Sequence, residues 1–327
     1  MHSSRELLGR RSLLGLGATL GLAAPALAQP AWPQRPLRLV VGFQPGGAID
    51  LVARRLGALI EPALGQPVLI ENVSGAGGAI AALAVKRAAP DGYTLNLATT
   101  ASHAVGPLLN PGIGYDPPRD FSLVATLSNF GMALITPPSG ARTLEELVAT
   151  GRAHPGSIAY ASAGQGTGHQ IAFELLSRQA GFQASHVPYR GMAPAMPDFI
   201  AGRISAAFCD VPTALQFLNS TPLNVLAVTK REREPAFPQA PTLHELGYRC
   251  YEVTWQALVA PRGTPAAVIE RLSTAVVAAL RTSAGRDALE SLNLNIEARA
   301  GSPDDPFLAD LLEEWRGWVQ QAGIRPE

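Results

Sequence analysis

Residues 42–50 read GFQPGGAID and follow the apolar run LRLVV, so a strand-like segment meets two glycines and then a helical pattern that begins near Ala48. Pro45 ends the strand, and Gly46 and Gly47 permit backbone angles that other residues resist. The first amides of a helix lack intrahelical partners and carry the positive end of its dipole, so this turn can hold an anion against bare backbone. Asp50 falls in the first helical turn, where its carboxylate can instead cap the loop's own amides. Anion cradle and self-capped tight turn both remain open. A phosphate-binding P-loop does not fit, because no Gly-Lys-Ser/Thr follows.

A second stretch, YASAGQGTGHQ from Tyr160 to Gln170, repeats the arrangement: an apolar run, then Gly164 and Gly166, then a helix start. Thr167 with Gln170 three residues later has the spacing of a capping box and would leave the amides at 165–168 available. Two anion-competent helix starts in separate parts of the chain make a paired clamp. ENVSGAGGAI also carries glycines, at 75, 77 and 78, but Ile80 stands where a dinucleotide fingerprint needs a small residue, so it reads as a packing turn beside the first loop. Ser162, Ser185, His169, His186 and Asp210 could in principle serve a hydrolase, yet no G-x-S-x-G elbow is present. The histidines are scattered without i, i+4 pairing, so no metal site is expected. Cys209 and Cys250 fit no metal spacing, and a disulfide and two buried thiols remain equal readings.

The elements that must position these loops follow from apolar periodicity. LRLVVGF precedes a helix over 48–61, VLIEN a helix over 77–88, and YTLNLAT a short helix near His103. After TPPSGAR a second set runs through a helix from Thr143, SIAYASA, a helix from Gly168, SHVPYR, a helix over 194–201, ISAAFCD and LNVLAVT. Such alternation predicts α/β lobes with mostly parallel sheets flanked by helices. Thr143-Leu-Glu-Glu146 is a capping box. Beyond 252 come one strand, TWQALVAP, and two long amphipathic helices over 265–282 and 304–321, each expected to cover a sheet face with residues such as Leu272, Val276, Leu311 and Trp315. The expected domains are residues 29–130 for the first part of lobe 1, 131–253 for lobe 2, and 254–327 for the return to lobe 1. The chain would cross between lobes near 130 and 254, with the ligand cleft between the lobes.

Residues 1–28 read as an export signal: Arg10-Arg11, an apolar run from Leu13 to Ala24, and the small-x-small end Ala26-Leu27-Ala28. GRRSLLG resembles a twin-arginine signal, and the leucine-rich flank also fits general secretion. Cleavage near Ala28 would leave an exported, periplasmic chain. Lys plus Arg and Asp plus Glu each total 26, and without residues 1–28 the balance is 23 against 25. That slight negative charge leaves no basic field for nucleic acid or an anionic membrane.

Taken in order, WPQRPLRLVVGFQPGGAID, LGQPVLIENVSGAGG, APDGYTL, HPGSIAYASAGQGTGHQIAFELL, HVPYRGMAPAMPDFIAGRI, PTLHELGY and WQALVAPRGTP closely resemble the tripartite tricarboxylate transporter substrate-binding family, the Bug-type periplasmic receptors. The resemblance runs from about Trp32 to the C-terminus. It implies a two-lobed type II periplasmic binding fold that closes on a small carboxylate, with no cofactor and no catalysis. It also implies a monomer that delivers a dicarboxylate, acidic amino acid or aromatic acid to a membrane permease. A sensory receptor docking on a signalling partner is the alternative, and a periplasmic hydrolase the third.

Carried over from the family, the ligand-binding residues are Phe43, Gly46, Gly47, Ala48 and Asp50 in the first loop, and Ser162, Gly164, Gln165, Gly166, Thr167 and His169 in the second. Thr100, Gly191 and Asp210 follow at strand ends or helix starts. Gln44 and Ser205 depart from the family's habit, and Gln44 could add a hydrogen bond to ligand. Asp50 is expected mainly to cap its loop and secondarily to meet a cationic group on an amino-acid ligand. On that expectation Asp50→Asn would weaken amino acids strongly and dicarboxylates mildly.

Overall fold

A computed structural model describes residues 32–251 and 253–324, so the export-signal reading of residues 1–28 lies outside the described residues. Six strands form one sheet: β1 (Leu37–Val41), β2 (Val68–Asn72), β3 (Thr94–Thr99), β4 (Phe121–Phe130), β10 (Thr254–Pro261) and β11 (Asn295–Ala300), in the spatial order β11-β4-β10-β3-β1-β2. Five form the other: β5 (Met132–Thr136), β6 (Ile158–Ser162), β7 (Ala184–Pro188), β8 (Ala206–Asp210) and β9 (Asn224–Val228), in the order β7-β6-β8-β5-β9. Helices flank both sheets, giving a two-lobed α/β fold.

The sheets are mixed, which corrects the expectation that they are mostly parallel. β1 pairs parallel with β2 and β3, and β6 with β7 and β8. In contrast, β10 runs antiparallel to β3 and β4, β11 antiparallel to β4, and β5 antiparallel to β8 and β9. The cause is the path between lobes. β4 ends at Phe130 and β5 begins at Met132, so Gly131 alone joins the sheets on the outward pass, and the return enters at β10. Strands that carry the chain between sheets are not bound by the helical crossover that parallel neighbours require.

Along β1 the period of two is visible in the packing. Leu37, Leu39 and Val41 pack in one core with Val52, Leu56 and Ile60 of α1 (Ala48–Leu64), whereas Val40 joins the opposite core with Ala81 and Val85 of α2 (Ala79–Lys86). In the second lobe, α5 (Leu144–Ala153) begins at the predicted box: Thr143 Oγ1 accepts from the Glu146 amide at 3.2 Å, and Glu146 Oε2 accepts from the Arg142 amide at 2.7 Å. The His103 segment is a π-helical turn (Ala101–Val105) that runs into α3 (Gly106–Leu109), and α4 (Pro117–Asp120) precedes β4.

Six elements escaped the sequence reading, among them the single turn α4. β4 and β5 follow one another with only Gly131 between them, so no turn signal separates them, α8 (Val211–Leu218) follows β8 without a loop, and α10 (Ser283–Glu290) and the edge strand β11 are too polar to stand out. Of the two C-terminal helices, α9 (Ala266–Arg281) covers β4 and β11 as expected, burying Leu272, Val276 and Leu280. The last helix, α11 (Phe307–Ala322), does not cover a sheet. It lies on the π-helical turn of the first lobe and on α6 (Gly168–Ala180) of the second, with the Trp315 ring 4.5 Å from that of Tyr251.

Both cysteines are free thiols, and Cys209 is buried in β8, where burial first and the neighbouring Asp210 charge second push its thiol pKa well up. We expect Cys209 to resist iodoacetamide in the native protein and to react fully in denaturant. Intact-mass measurement checks this, and rapid native alkylation of Cys209 would show that β8 is open.

Candidate ligand-binding cleft

A cleft with about 930 Å³ of empty space, open mouth included, lies between the sheets. Its first-lobe wall is the loop that leads from β1 into α1. Gly46 has φ of 84°, a left-handed conformation that glycine adopts without strain, whereas Gly47, with φ of −78° and ψ of 168°, is an extended N-cap. Because Gly47 has no side chain, nothing caps the first α1 amides from within, and Gly46, Gly47, Ala48 and Ile49 line the cleft. The loop is held from behind. Asp50, 2% exposed, accepts from the Gly46 amide, Arg54 Nε and Asn72 Nδ2, each at 2.9 Å, and Asn72 Nδ2 also donates to the Phe43 carbonyl at 3.0 Å. Burial alone would raise the Asp50 pKa, but the bonds from Arg54, Gly46 and Asn72 outweigh it and hold the carboxyl below its ordinary range.

Asp50 therefore does not line the cleft, which corrects its expected role as partner of a ligand ammonium: its oxygens already have protein donors. Gln44 does line it, although its Nε2 donates to Ser74 Oγ at 2.8 Å.

The second-lobe loop enters α6. Thr167 is its N-cap residue, but the expected capping box does not form. Thr167 Oγ1 donates to the Gly164 carbonyl at 2.7 Å, while Gln170 Oε1 accepts from the Gly166 amide at 2.8 Å. The Gly166 amide is thus engaged within the protein, which corrects its assignment as a free donor. Thr167, Gly168 and His169 line the cleft; Gly164 and Gln165 line an adjoining recess shared with Ser74, Gly75 and Gly77; Gly166 lines neither. Ser162 is fully buried. Its Oγ donates to the Gly164 carbonyl at 3.0 Å, accepts from the Gly164 amide at 3.2 Å, and lies 2.6 Å from His186 Nε2. Ser162 Oγ and His186 Nε2 are thus hydrogen-bonded, and burial lowers the imidazole pKa to about 4. Ser162 thus orders the loop and is not exposed as a nucleophile, and its imidazole is His186, not His169.

Phe43, Thr100, Gly191 and Asp210 also line the cleft, so the structure gathers nine of the predicted residues on one wall or the other when Gly46, Gly47, Ala48, Thr167 and His169 are included. Thr100 Oγ1 accepts from the Trp255 amide at 3.0 Å. Sequence reasoning missed Thr254 and Trp255 at the start of β10, Arg190, and the apolar lining of Phe130, Met132 and Phe217. A usable signal existed for β10, since a segment crossing between lobes must border the cleft. Thr254 Oγ1, Trp255 Nε1 and both His169 ring nitrogens are buried without a hydrogen-bond partner among the described residues. His169 Nε2 lies 3.2 Å from Asp210 Oδ1 without the alignment of a hydrogen bond. Among the described residues, no group of side chains is suited to hold a metal ion, and no helix is long and apolar enough to cross a membrane.

Two α/β lobes with a small-molecule cleft between them, entered by helix N-termini, define a solute-binding receptor of the periplasmic type. The sequence profile described as tripartite tricarboxylate transporter family receptor matches residues 52–324, and the chain belongs to that family. BugT of Bordetella pertussis is 33% identical over 311 residues, covering 94% of this chain and 95% of BugT. Among solved structures, Rpa4515 of R. palustris with adipate aligns with a TM-score of 0.85 at 32% identity, covering 91% of this chain and 100% of that one. MatC from Rhodopseudomonas palustris with bound malate aligns at 0.81 with 31% identity, covering 88% and 100%.

Proposed function

We propose that this protein is a periplasmic receptor that captures a small organic carboxylate in the interlobe cleft and hands it to a membrane permease, without catalysing a reaction. The observation that carries the reading is the uncapped N-terminus of α1 opening into the cleft, with Asp50 turned away from it. Arg190, which also lines the cleft, adds a cation at its rim. A helix terminus contributes about 0.3 to 2 kcal/mol to a nearby anion, and hydrogen bonds to a charged group contribute about 1.5 to 3 kcal/mol each. Micromolar binding needs about 8 kcal/mol, so a few amides and donors suffice after closure costs. The adipate and malate held by the two structural relatives support a carboxylate as the ligand class. Export with cleavage near Ala28 and action as a monomer belong to the same proposal.

Titration of the exported protein with a panel of carboxylates, followed by calorimetry and by indole fluorescence, tests it. Micromolar binding with a fluorescence change from Trp255 in the cleft wall is expected. Absence of heat and of fluorescence change with every carboxylate, and no acid in the protein as isolated, would overturn it. Pull-down of membrane proteins by the liganded form distinguishes a permease from a sensor.

A further inference from the structure

The sequence suggests a symmetric pair of anion clamps, and the structure is not symmetric. On the first-lobe side, the α1 amides face the cleft with no carboxylate among the lining residues. On the second-lobe side, one α6 loop amide is already bonded to Gln170, and Asp210 reaches the cleft beside His169. Asp210 is 9% exposed, sits at the N-cap of α8 without capping it, and receives no aligned hydrogen bond from any described residue. It is the one carboxylate among the described residues lining the cleft. Its oxygens have no donor among the described residues and open onto the cleft, so a cationic group that enters the cleft can reach them. His169, 6% exposed and with both nitrogens unpaired, adds a second unsatisfied group at the same place.

We propose that Asp210, flanked by His169, forms a subsite for an ammonium group, so that the cleft selects an amino-bearing monocarboxylate over a dicarboxylate. The carboxylate end of the ligand meets the α1 amides, with Arg190 and the unpaired Thr254 hydroxyl and Trp255 indole as further donors. The ammonium end meets Asp210 across the cleft. A dicarboxylate would set its second charge against Asp210 and leave that carboxylate unsatisfied. The proposal rests on the carboxylate-receptor reading and deepens it.

Calorimetry with pairs of equal carbon number tests it: glutarate against 5-aminopentanoate, and adipate against 6-aminohexanoate. The amino acid of a pair should bind at least tenfold tighter to the unaltered protein. Asp210→Asn should weaken the amino acid at least tenfold while leaving or improving the dicarboxylate, and Asp210→Glu should keep the original preference. Dicarboxylates binding at least as tightly as their amino partners, or an equal loss of both in Asp210→Asn, would overturn the subsite and leave the receptor reading intact. No binding by any carboxylate would remove both. If Asp210→Asn does not fold, as judged by circular dichroism, the ratio in the unaltered protein decides.

Discussion

Gly42→Ala should cost about 2 kcal/mol of stability, within the range for overpacked cores, and should weaken ligand binding at least tenfold. A Cβ on Gly42 would lie 2.6 Å from the Gly78 Cα and 3.2 Å from the Gly78 carbonyl oxygen. Both are main-chain atoms, so no rotamer change relieves the clash. Gly78 cannot yield easily, because its amide donates to the Gly75 carbonyl at 2.9 Å and its φ is 94°. The remaining route is to push the 74–78 loop or Phe43 away, and Phe43 lines the cleft. Gly47→Ala is the matched control. Its φ of −78° suits any residue and its added Cβ would sit 3.7 Å from the Gln44 carbonyl, an ordinary contact, so stability should change by less than about 0.5 kcal/mol. Urea unfolding of the two variants checks both values. Equal stability of Gly42→Ala and the unaltered protein would mean that the two loops part freely.

The second large effect is expected at Asp50. Replacing it with Asn puts an NH2 group where an oxygen accepts, so one of the three donors from Gly46, Arg54 and Asn72 is left facing another donor. Charged hydrogen bonds of this kind are worth about 1.5 to 3 kcal/mol, and because the Arg54 side chain is 51% exposed its share is screened, so a total loss of about 2 kcal/mol is expected. Binding should weaken alike for amino acids and dicarboxylates, because Asp50 orders the loop without touching the cleft. A loss confined to amino acids would return the ammonium role to Asp50 and take it from Asp210.

The pH dependence has a definite sign. The folded pKa of Asp50 lies below the ordinary 3.8, so its contribution is complete above that value and is lost as pH falls through the lower folded one. Unfolding measured from pH 7 to pH 3 should therefore show a shallower acid decline in Asp50→Asn than in the unaltered protein.

Much of the fold was legible because it is written in local patterns. Alternating apolar runs and helices marked β1, α1, β2, β3, β6, α6, β7 and β8, and Thr143 with Glu146 marked the start of α5, since a capping box involves atoms only three residues apart. The same spacing at Thr167 and Gln170 did not form the box, because in the folded loop Thr167 Oγ1 donates to the Gly164 carbonyl and Gln170 Oε1 accepts from the Gly166 amide. Strand direction was not legible: whether β10 runs parallel or antiparallel to β3 depends on where the chain returns from the other lobe.

In GFQPGGAID, the sequence by itself determined that a strand gives way to a helix whose first amides are bare, because proline, glycine and helix geometry act within a few residues. Only the tertiary structure decided which acid faces the cleft. Asp50 and Asp210 both stand in or beside a first helical turn, and local chemistry cannot tell them apart. Asn72 and Arg54 close around Asp50 from β2 and from the next turn of α1 and turn its charge inward. Among the described residues, nothing in the second lobe does so for Asp210, whose neighbour His169 is not aligned to donate to it. The difference arises from donors distant in sequence, and such donors meet a carboxylate only when the sheet has formed.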